Sequence, residues 1–449
     1  MSWKDDKDLG PWEFDEQPDK WGYLNNPRWS NSRKSSSDSM SASEFCEDRS
    51  ISLNPEDTHK PCGHWHKVNA DEQFGTYLYG AGRSAYGQLN VDGGTYNVFF
   101  LLSDLEGWSV VRCGQESTLA IRDTGVLYVF GYGRSGELGN GVYGDVLEMD
   151  FIEGIWSYVI GGRKHSMAMK PDGSLWGTGD NQKGQLGIPS IGYRTNVFTQ
   201  VGIGTDWKIV DTGSGSNHTV ALKTDNSLWV TGYNYYGQLG LGDHGTGTDR
   251  TSFTQVGSGT DWSDISVGEH HTLAVKSDGT LWSTGMNNNG QLGHGNTTDL
   301  DVFTQVGSDT NWLKCHAGEY YSYAQKKNGT IYATGDNDHG QLGQGDQVQL
   351  ESFTQVGTSS WDFLGMGQSG AHILVVDSDA DLYTVGRNGH GQLGRGDYVD
   401  KSTLGNTGES SVLSVDGGFW HSVIIERKPL IHSPTIDEPQ VWPMDFSEI

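Results

Sequence analysis

The sequence is poor in cysteine, in proline and in long apolar runs. Its 449 residues include 4 cysteines and 11 prolines. Four cysteines in a chain of this length are too few for a disulfide framework, so we expect the core to stabilise the fold. No stretch approaches the ~20 apolar residues of a membrane-spanning helix, and the first residues contain no apolar run typical of a signal peptide. These absences predict a soluble protein that is made in the cytoplasm.

Positive charge is also scarce. The chain has 30 Lys and Arg residues against 57 Asp and Glu residues, which leaves a formal net charge of −27. An acidic surface repels the phosphate backbone of nucleic acids unless a local basic patch reverses the repulsion. The linear sequence shows no such patch, so it predicts no direct nucleic-acid partner.

Glycine and tryptophan, in contrast, are abundant, with 65 and 16 copies. A glycine-rich motif, such as "TGMNNNGQLGHGN" at residues 284–296, occurs seven times. The Gln or Glu of each copy lies 48 to 53 residues after that of the copy before; these residues are Gln88, Glu137, Gln185, Gln238, Gln291, Gln341 and Gln392. Such a fixed period indicates a repeat architecture.

Six of the seven motifs follow two short alternating segments, as in "HTLAVK" and "TLWSTG", and the first motif follows only the second of them. Alternation of this kind that ends at glycine is typical of a half-buried strand entering a turn. A tryptophan leads into six of the units, at positions 108, 156, 207, 262, 312 and 361, and several units add "FTQVG". Each unit therefore predicts about four strands and no helix.

Seven units of four strands predict an all-β, seven-bladed β-propeller over residues 75–428. The first unit lacks an early strand and the last unit lacks a late one. We therefore expect the N-terminal and C-terminal strands to pair and close the ring. Outside it lie an acidic, aromatic and Ser-rich N-terminal extension, residues 1–74, and a Pro-rich acidic tail, residues 429–449.

The run "HTLAVKSDGTLWSTGMNNNGQLGHGN" resembles the repeat of the regulator of chromosome condensation family. Because seven copies agree in register, the resemblance covers about 350 residues and implies a seven-bladed propeller. The near-identical "FTQVG" units are similar to those of bacterial and bacteriophage members of that family. The resemblance carries the fold, but an exchange factor for a small GTPase relies on a basic tail and an inserted wedge that this sequence lacks.

The repeated glycines are predicted to form turns with positive φ, each with a leucine buried beneath it. These structural repeat residues are Gly87, Leu89, Gly136, Leu138, Gly184, Leu186, Gly237, Leu239, Gly290, Leu292, Gly340, Leu342, Gly391 and Leu393. A histidine column is interpreted as a set of structural hydrogen-bonding groups between neighbouring strands; its members are His165, His218, His271, His372 and His421. Ser117 and Tyr321 occupy the same register, so no chemistry common to all blades requires imidazole.

Two clusters in the N-terminal extension are candidate sites. One is a possible transition-metal site, although its spacing is not that of a zinc finger; it comprises His59, Cys62, His64 and His66. The other is a set of aromatic residues suited to docking on a partner; it comprises Trp3, Trp12, Phe14, Trp21, Tyr23 and Trp29. Solvent-exposed residues and a purely solvated tail are the respective alternatives.

No catalytic triad, paired acid motif or cofactor fingerprint occurs outside the repeat, so the sequence predicts a protein that is not an enzyme and needs no cofactor. The favoured hypothesis is a structural protein-protein interaction scaffold of a tailed-phage virion, on the tail, baseplate or capsid, anchored by its extensions. Its partners would be other proteins of a large assembly, or a ligand on one propeller face. A secreted or surface binding protein of the β-lactamase-inhibitor type and a GTPase exchange factor are the alternatives.

Overall fold

A computed structural model describes residues 74–367 and 370–430 of the chain. In these residues it contains 28 β-strands and one 3-10 helix, Pro189–Ile191. The strands form seven blades of four, each built from neighbouring antiparallel strands. No helix in these two ranges is long and apolar enough to span a membrane. The prediction of an all-β seven-bladed propeller is confirmed.

The blades are numbered here from the first one that is continuous in sequence. Blade 1 contains β3 (Trp108–Cys113), β4 (Ser117–Arg122), β5 (Leu127–Gly131) and β6 (Val146–Ile152). Blade 2 contains β7 (Tyr158–Gly161), β8 (His165–Met169), β9 (Leu175–Asp180) and β10 (Arg194–Gln200). Blade 3 contains β11 (Trp207–Asp211), β12 (His218–Lys223), β13 (Leu228–Gly232) and β14 (Arg250–Gln255). Blade 4 contains β15 (Trp262–Val267), β16 (His271–Lys276), β17 (Leu281–Gly285) and β18 (Leu300–Gln305).

The remaining three blades complete the ring. Blade 5 contains β19 (Trp312–Ala317), β20 (Tyr321–Lys326), β21 (Ile331–Gly335) and β22 (Leu350–Gln355). Blade 6 contains β23 (Phe363–Gly367), β24 (His372–Val376), β25 (Leu382–Gly386) and β26 (Lys401–Asn406). Blade 7 combines both ends of the propeller; it contains β27 (Val412–Gly417), β28 (His421–Pro429), β1 (Phe74–Arg83) and β2 (Thr95–Leu101).

Blade 7 closes the ring by pairing the ends of the propeller. Strand β1 runs antiparallel to β28, with a continuous register from the pair Phe74 and Pro429 to the pair Gly82 and His421. On its other edge, β28 pairs with β27. Strand β1 therefore lies inside the sheet, between β2 and β28, rather than at its edge. The predicted closure is observed.

The hydrophobic core lies between successive blades. Trp262 of blade 4 is 5% exposed and forms one buried cluster with Val220 and Leu239 of blade 3. Its ring packs against Trp282 and Phe303, with centroids 6.0 and 5.4 Å away. Edge-on aromatic packing of this kind adds to the gain from area burial. The six predicted tryptophans, Trp108, Trp156, Trp207, Trp262, Trp312 and Trp361, are all buried.

The two ends of the ring differ in their connections. The turn from the first to the second strand of a blade and the loop from its third to its fourth strand emerge at the same end, which we call the loop face. The turn from the second to the third strand and the link to the next blade emerge at the opposite end, the turn face. In blade 1 the loop-face segments are residues 114–116 and 132–145. The long loops therefore lie at one end of the ring.

Candidate functional site

The glycine-rich motif joins each blade to the next. In blade 4, Leu292 is fully buried, and its backbone N–H donates to Asn287 Oδ1 at 2.9 Å. Gly290 has a φ of +75°, and a Cβ at this position would lie 2.7 Å from Cα of Glu351 in blade 5. Only glycine allows such an approach between two backbones. The motif is therefore an inter-blade contact rather than a binding loop.

The other copies of the motif have the same features. The glycine two positions before the leucine has positive φ in all seven copies: Gly87, Gly136, Gly184, Gly237, Gly290, Gly340 and Gly391. The leucine of each copy is 0% exposed: Leu89, Leu138, Leu186, Leu239, Leu292, Leu342 and Leu393. These residues position the blades and leave the intervening loop residues for the surface.

The histidine column also joins neighbouring blades. Nε2 of His271 lies 2.9 Å from Oγ of Ser322 in the next blade, and that hydroxyl donates to the backbone carbonyl of Gln291 at 2.7 Å. Since the hydroxyl proton is already used, Nε2 must carry the imidazole proton. Burial lowers the pKa of His271 to about 3, so the ring stays neutral.

The column repeats this contact around the ring. The corresponding pairs are His165 with Thr219 at 3.1 Å, His218 with Thr272 at 3.0 Å, His372 with Ser422 at 2.8 Å and His421 with Thr118 at 3.1 Å. These bonds connect strands of neighbouring blades. No three His, Cys, Asp or Glu residues are grouped to hold a metal ion within residues 74–367 and 370–430.

Carboxylates on the first strand of blades 3 and 7, which we call the inner strand of a blade, have a similar structural role. Oδ2 of Asp416 accepts from the backbone N–H of Cys113 at 2.8 Å, and Oδ2 of Asp211 accepts from that of Val267 at 2.8 Å. Burial raises the pKa of Asp211 to about 7 and that of Asp416 to about 6. Each carboxylate thus connects the inner strand of its blade to that of the next blade.

Half-exposed aromatic residues cluster on the loop face. Tyr233, Tyr235 and Tyr236 of blade 3 pack together, and the ring of Tyr236 lies 4.8 Å from that of His270 in blade 4. Tyr235 is 47% exposed. Amphipathic side chains of this kind are enriched where proteins bind one another. This tyrosine cluster is the first part of the candidate site.

A second aromatic cluster lies in blades 6 and 7. The ring of Trp420 lies 4.1 Å from Phe419 and 4.5 Å from His390, and the guanidinium of Arg387 stacks 4.2 Å above it. Arginine on an indole face is held by cation-π attraction and keeps its donors free for a partner. The loop face therefore carries two aromatic clusters, and the second includes an arginine.

Two glutamates of blades 4 and 5 separate these clusters. Burial raises the pKa of Glu269, and burial together with the charges of Glu269 and Glu319 raises the pKa of Tyr320. Burial and the neighbouring charge of Glu269 raise the pKa of Glu319 to about 7. A neighbouring negative charge disfavours ionisation of a carboxyl group. The positive charges of Arg163 and Arg387 partly oppose the rise in the pKa of Glu269 and of Glu319, respectively.

The fold brings together basic residues that form no patch in the linear sequence. Four exposed cations of blade 2 line one cavity of the loop face, of about 290 Å³: Arg163, Lys164, Lys183 and Arg194. They come from the β7–β8 turn, from the β9–β10 loop and from the start of β10. Because two strands separate them along the chain, the patch is invisible in the linear sequence.

The predicted sites of the N-terminal extension lie outside the described residues. This applies to the metal candidates His59, Cys62, His64 and His66. It applies equally to the docking candidates Trp3, Trp12, Phe14, Trp21, Tyr23 and Trp29. Both remain predictions.

The loop-face residues were missed because they vary between blades. The two residues before the histidine register are Arg163 and Lys164 in blade 2, and Glu269 and His270 in blade 4. In blade 7 they are Phe419 and Trp420. The signal that could have found them is this variation within an otherwise constant repeat.

The comparisons with known proteins agree with this geometry. Residues 148–424 match a family described as RCC1-like domain. The ultraviolet-B receptor UVR8 of Arabidopsis thaliana is 34% identical over 206 residues, which cover 43% of this chain and 45% of the receptor. The probable E3 ubiquitin-protein ligase HERC4 of Homo sapiens is 30% identical over 197 residues, which cover 41% of this chain and 18% of the ligase. The matches therefore span less than half of the length of these relatives.

Solved structures show the same fold. Human WBSCR16 has a TM-score of 0.69 at 19% identity, over 79% of this chain and 99% of that chain. Prp20p from Saccharomyces cerevisiae, described with its binding to Gsp1p and histones, has a TM-score of 0.69 at 17% identity, over 78% of this chain and 91% of that chain. At this identity the likeness concerns the fold alone.

Proposed function

Since this chain belongs to the RCC1-like domain family, we propose that it is a non-catalytic protein-interaction scaffold whose partners bind the loop face. The observation that carries the proposal is that each repeat contains two kinds of position, one constant and structural and the other variable and exposed. The glycine, leucine and histidine positions hold neighbouring blades together, and the residues between them differ from blade to blade at the loop face. A constant frame with variable surface residues suits recognition of a specific partner.

The composition of the loop face supports this function. Tyr233, Tyr235, Phe419 and Trp420 are at least partly exposed and lie beside charged residues. Tryptophan, tyrosine and arginine are enriched among the few residues that dominate the binding free energy of protein interfaces. The innermost carboxylates and the histidines, in contrast, bond to neighbouring blades and are buried. The groups with perturbed pKa values there have a structural use that requires no catalytic role.

Site-specific photo-cross-linking in cells of the source organism tests the proposal. A photoreactive phenylalanine derivative at Tyr235 samples the loop face, and the same derivative at Ile203 is the matched control. Ile203 is 97% exposed in the link from β10 to β11, on the turn face. We expect discrete protein adducts from position 235 and none from position 203. Adducts from position 203 alone would overturn the proposal.

The activities named in some relatives are not part of this proposal. The match covers 18% of HERC4 and 31% of the serine/threonine-protein kinase Nek8 of Danio rerio. Those activities belong to proteins that are much longer than the matched segment. GTPase exchange is likewise left out, because the likeness to Prp20p at 17% identity concerns the fold.

The narrower prediction of a tailed-phage virion component rests on the "FTQVG" repeats and on the aromatic extension as a docking arm. The relatives reported above are plant and animal proteins, so they lend the phage assignment no support. We retain the virion, with assembly in the host cytoplasm, only as a proposal about where the scaffold acts. Mass spectrometry of purified particles tests it: absence of the protein from particles that contain all other structural proteins would refute it.

A further inference from the structure

The cationic cavity of blade 2 is unusual for so acidic a protein. Its lining includes four cations, Arg163, Lys164, Lys183 and Arg194, and one carboxylate, Asp180. The chain as a whole carries a net charge of −27. A second cavity, of about 230 Å³, shares Arg163 and Lys164 with the first and extends across blade 1 toward Tyr132 and Arg134. The two cavities form one groove, which we call the blade 2 groove.

Several cations of the groove lack an ion-pair partner. In the part of the chain that the structure describes, no carboxylate oxygen lies within 4.0 Å of the charged nitrogens of Arg163, Lys164 or Arg194. Arg194 stacks on Tyr143 at 4.5 Å instead. Lys183 is the exception, since it pairs with Asp249 at 3.4 Å. Three exposed cations of the groove are therefore without a direct ion pair within the described residues.

The single carboxylate in the first cavity is already engaged. Oδ2 of Asp180 accepts a hydrogen bond from Nε2 of Gln185 at 2.9 Å. Gln185 is fully buried. Asp180 is thus anchored to the inter-blade turn of its own motif, which leaves its charge less available to the cations. An external anion would supply the direct ion pair that Arg163, Lys164 and Arg194 do not make within the described residues.

We propose that the blade 2 groove binds an acidic peptide segment of a partner protein, with a carboxylate side chain seated among Arg163, Lys164 and Arg194. This inference rests on the proposed function and specifies the chemistry of the partner. Arginine binds a carboxylate through a fork of parallel hydrogen bonds, and lysine adds a point charge. A cavity of about 290 Å³ lies at the lower limit of small-molecule sites and suits a side chain.

The surroundings favour a peptide over a nucleic acid. Glu116 and Glu137 line the second cavity, and residues 75–428 contain 21 basic against 38 acidic residues. A nucleic acid presents a phosphate every few ångströms and gains affinity only when many phosphates are neutralised in line. A peptide can place one or two carboxylates in the groove and neutral side chains beside it. Tyr233, which lies 4.9 Å below the ammonium of Lys183, offers aromatic surface for such a neighbour.

Fluorescence anisotropy with the full chain tests the inference. The probe is a short fluorescein-labelled peptide rich in Glu and Asp with one Phe, and its counterpart has Gln and Asn in place of the acids. The test variant combines Arg163→Glu with Lys164→Glu. The matched control combines Lys208→Glu with Lys327→Glu, an equal change of charge at exposed residues of the turn face.

The expected result is binding of the acidic peptide at about 0.15 M salt, no binding of its neutral counterpart, and a loss of affinity of at least about tenfold in the test variant only. Equal losses in both variants would overturn the inference, because they would indicate long-range attraction rather than a site. Absence of acidic-peptide binding would also overturn it. Tighter binding of a labelled DNA oligonucleotide, lost in the test variant, would replace the peptide by a nucleic acid. Persistent photo-adducts at position 235 in the test variant would leave the proposed function intact.

Discussion

Glu137 occupies a position that is glutamine in the other six copies of the motif, and its replacement yields a sharp prediction. Its side chain is 3% exposed. Oε2 accepts from the backbone N–H of Ser135 at 2.8 Å, and Oε1 has no partner in the described part of the chain. Burial raises the pKa of Glu137 from 4.5 to about 7. We predict that Glu137→Gln stabilises the propeller at alkaline pH.

The magnitude follows from the linkage between pKa and stability. Because the folded-state pKa exceeds the unfolded value, the folded state holds its proton while the unfolded state ionises. Stability is therefore unaffected below about pH 4.5, falls as the pH rises from there, and reaches its full loss above about 7. At about 1.4 kcal/mol per pKa unit, the loss amounts to about 3 kcal/mol. Glutamine fits the site, since Oε1 of Gln88 accepts from the backbone N–H of Tyr86 at 2.9 Å in the equivalent turn.

Urea unfolding followed by tryptophan fluorescence at pH 5 and pH 8.5 measures this effect. We expect Glu137→Gln to raise the free energy of unfolding by up to about 3 kcal/mol at pH 8.5 and to change it little at pH 5. The reciprocal control is Gln88→Glu, at a fully buried position, which should destabilise at pH 8.5. A gain that is equal at both pH values, or a loss for Glu137→Gln at pH 8.5, would refute the reasoning.

Three further predictions concern the contacts between blades, and equilibrium unfolding measures each of them. Leu292→Ala truncates a fully buried side chain and should lower the free energy of unfolding by about 2–5 kcal/mol. The control, Asn288→Ala at the exposed part of the same turn, should change it by less than about 0.5 kcal/mol. Equal effects would show that the leucine is not a buried contact. Gly290→Ala should destabilise more than Gly396→Ala, because both have positive φ but only the first Cβ would meet backbone, at 2.7 Å; the reverse order would contradict the inter-blade approach. His271→Ala should lower the free energy of unfolding by about 1–3 kcal/mol at neutral pH. Because the folded-state pKa of about 3 lies below the ordinary 6.5, protonation of His271 in the unfolded state destabilises the parent as the pH falls below 6.5. The variant lacks this histidine and should lose less stability over that range.

The fold could be predicted because its signals are local and repeated. Strand alternation, the glycine turns and the leucine of each motif occur once per blade, and the incomplete first and last units required the pairing of β1 with β28. The resemblance drawn from the run at residues 271–296 is confirmed by the family match. Seven agreeing copies make such an inference robust against any one aberrant unit.

The candidate site could be predicted only in outline. The grouping of Arg163 with Arg194 depends on how β8 and β9 fold back between them. The partner of His271 is a hydroxyl of the next blade, 51 positions away in sequence. The histidine recurs in most blades of the sequence, but this recurrence does not reveal which residue of the next blade it contacts. Variation at the loop positions did indicate where a specific function would lie, although not its chemistry.

Hydrogen-deuterium exchange of a complex with a partner identified by photo-cross-linking tests the central claim most directly. Partner binding to the loop face predicts slowed exchange of amides in the turns at residues 114–116, 162–164, 268–270 and 418–420. It also predicts unchanged exchange in the turn-face segments at residues 123–126, 224–227 and 277–280. Protection confined to the turn face, with the loop face unchanged, would contradict the claim that this propeller recognises its partners through the loop face.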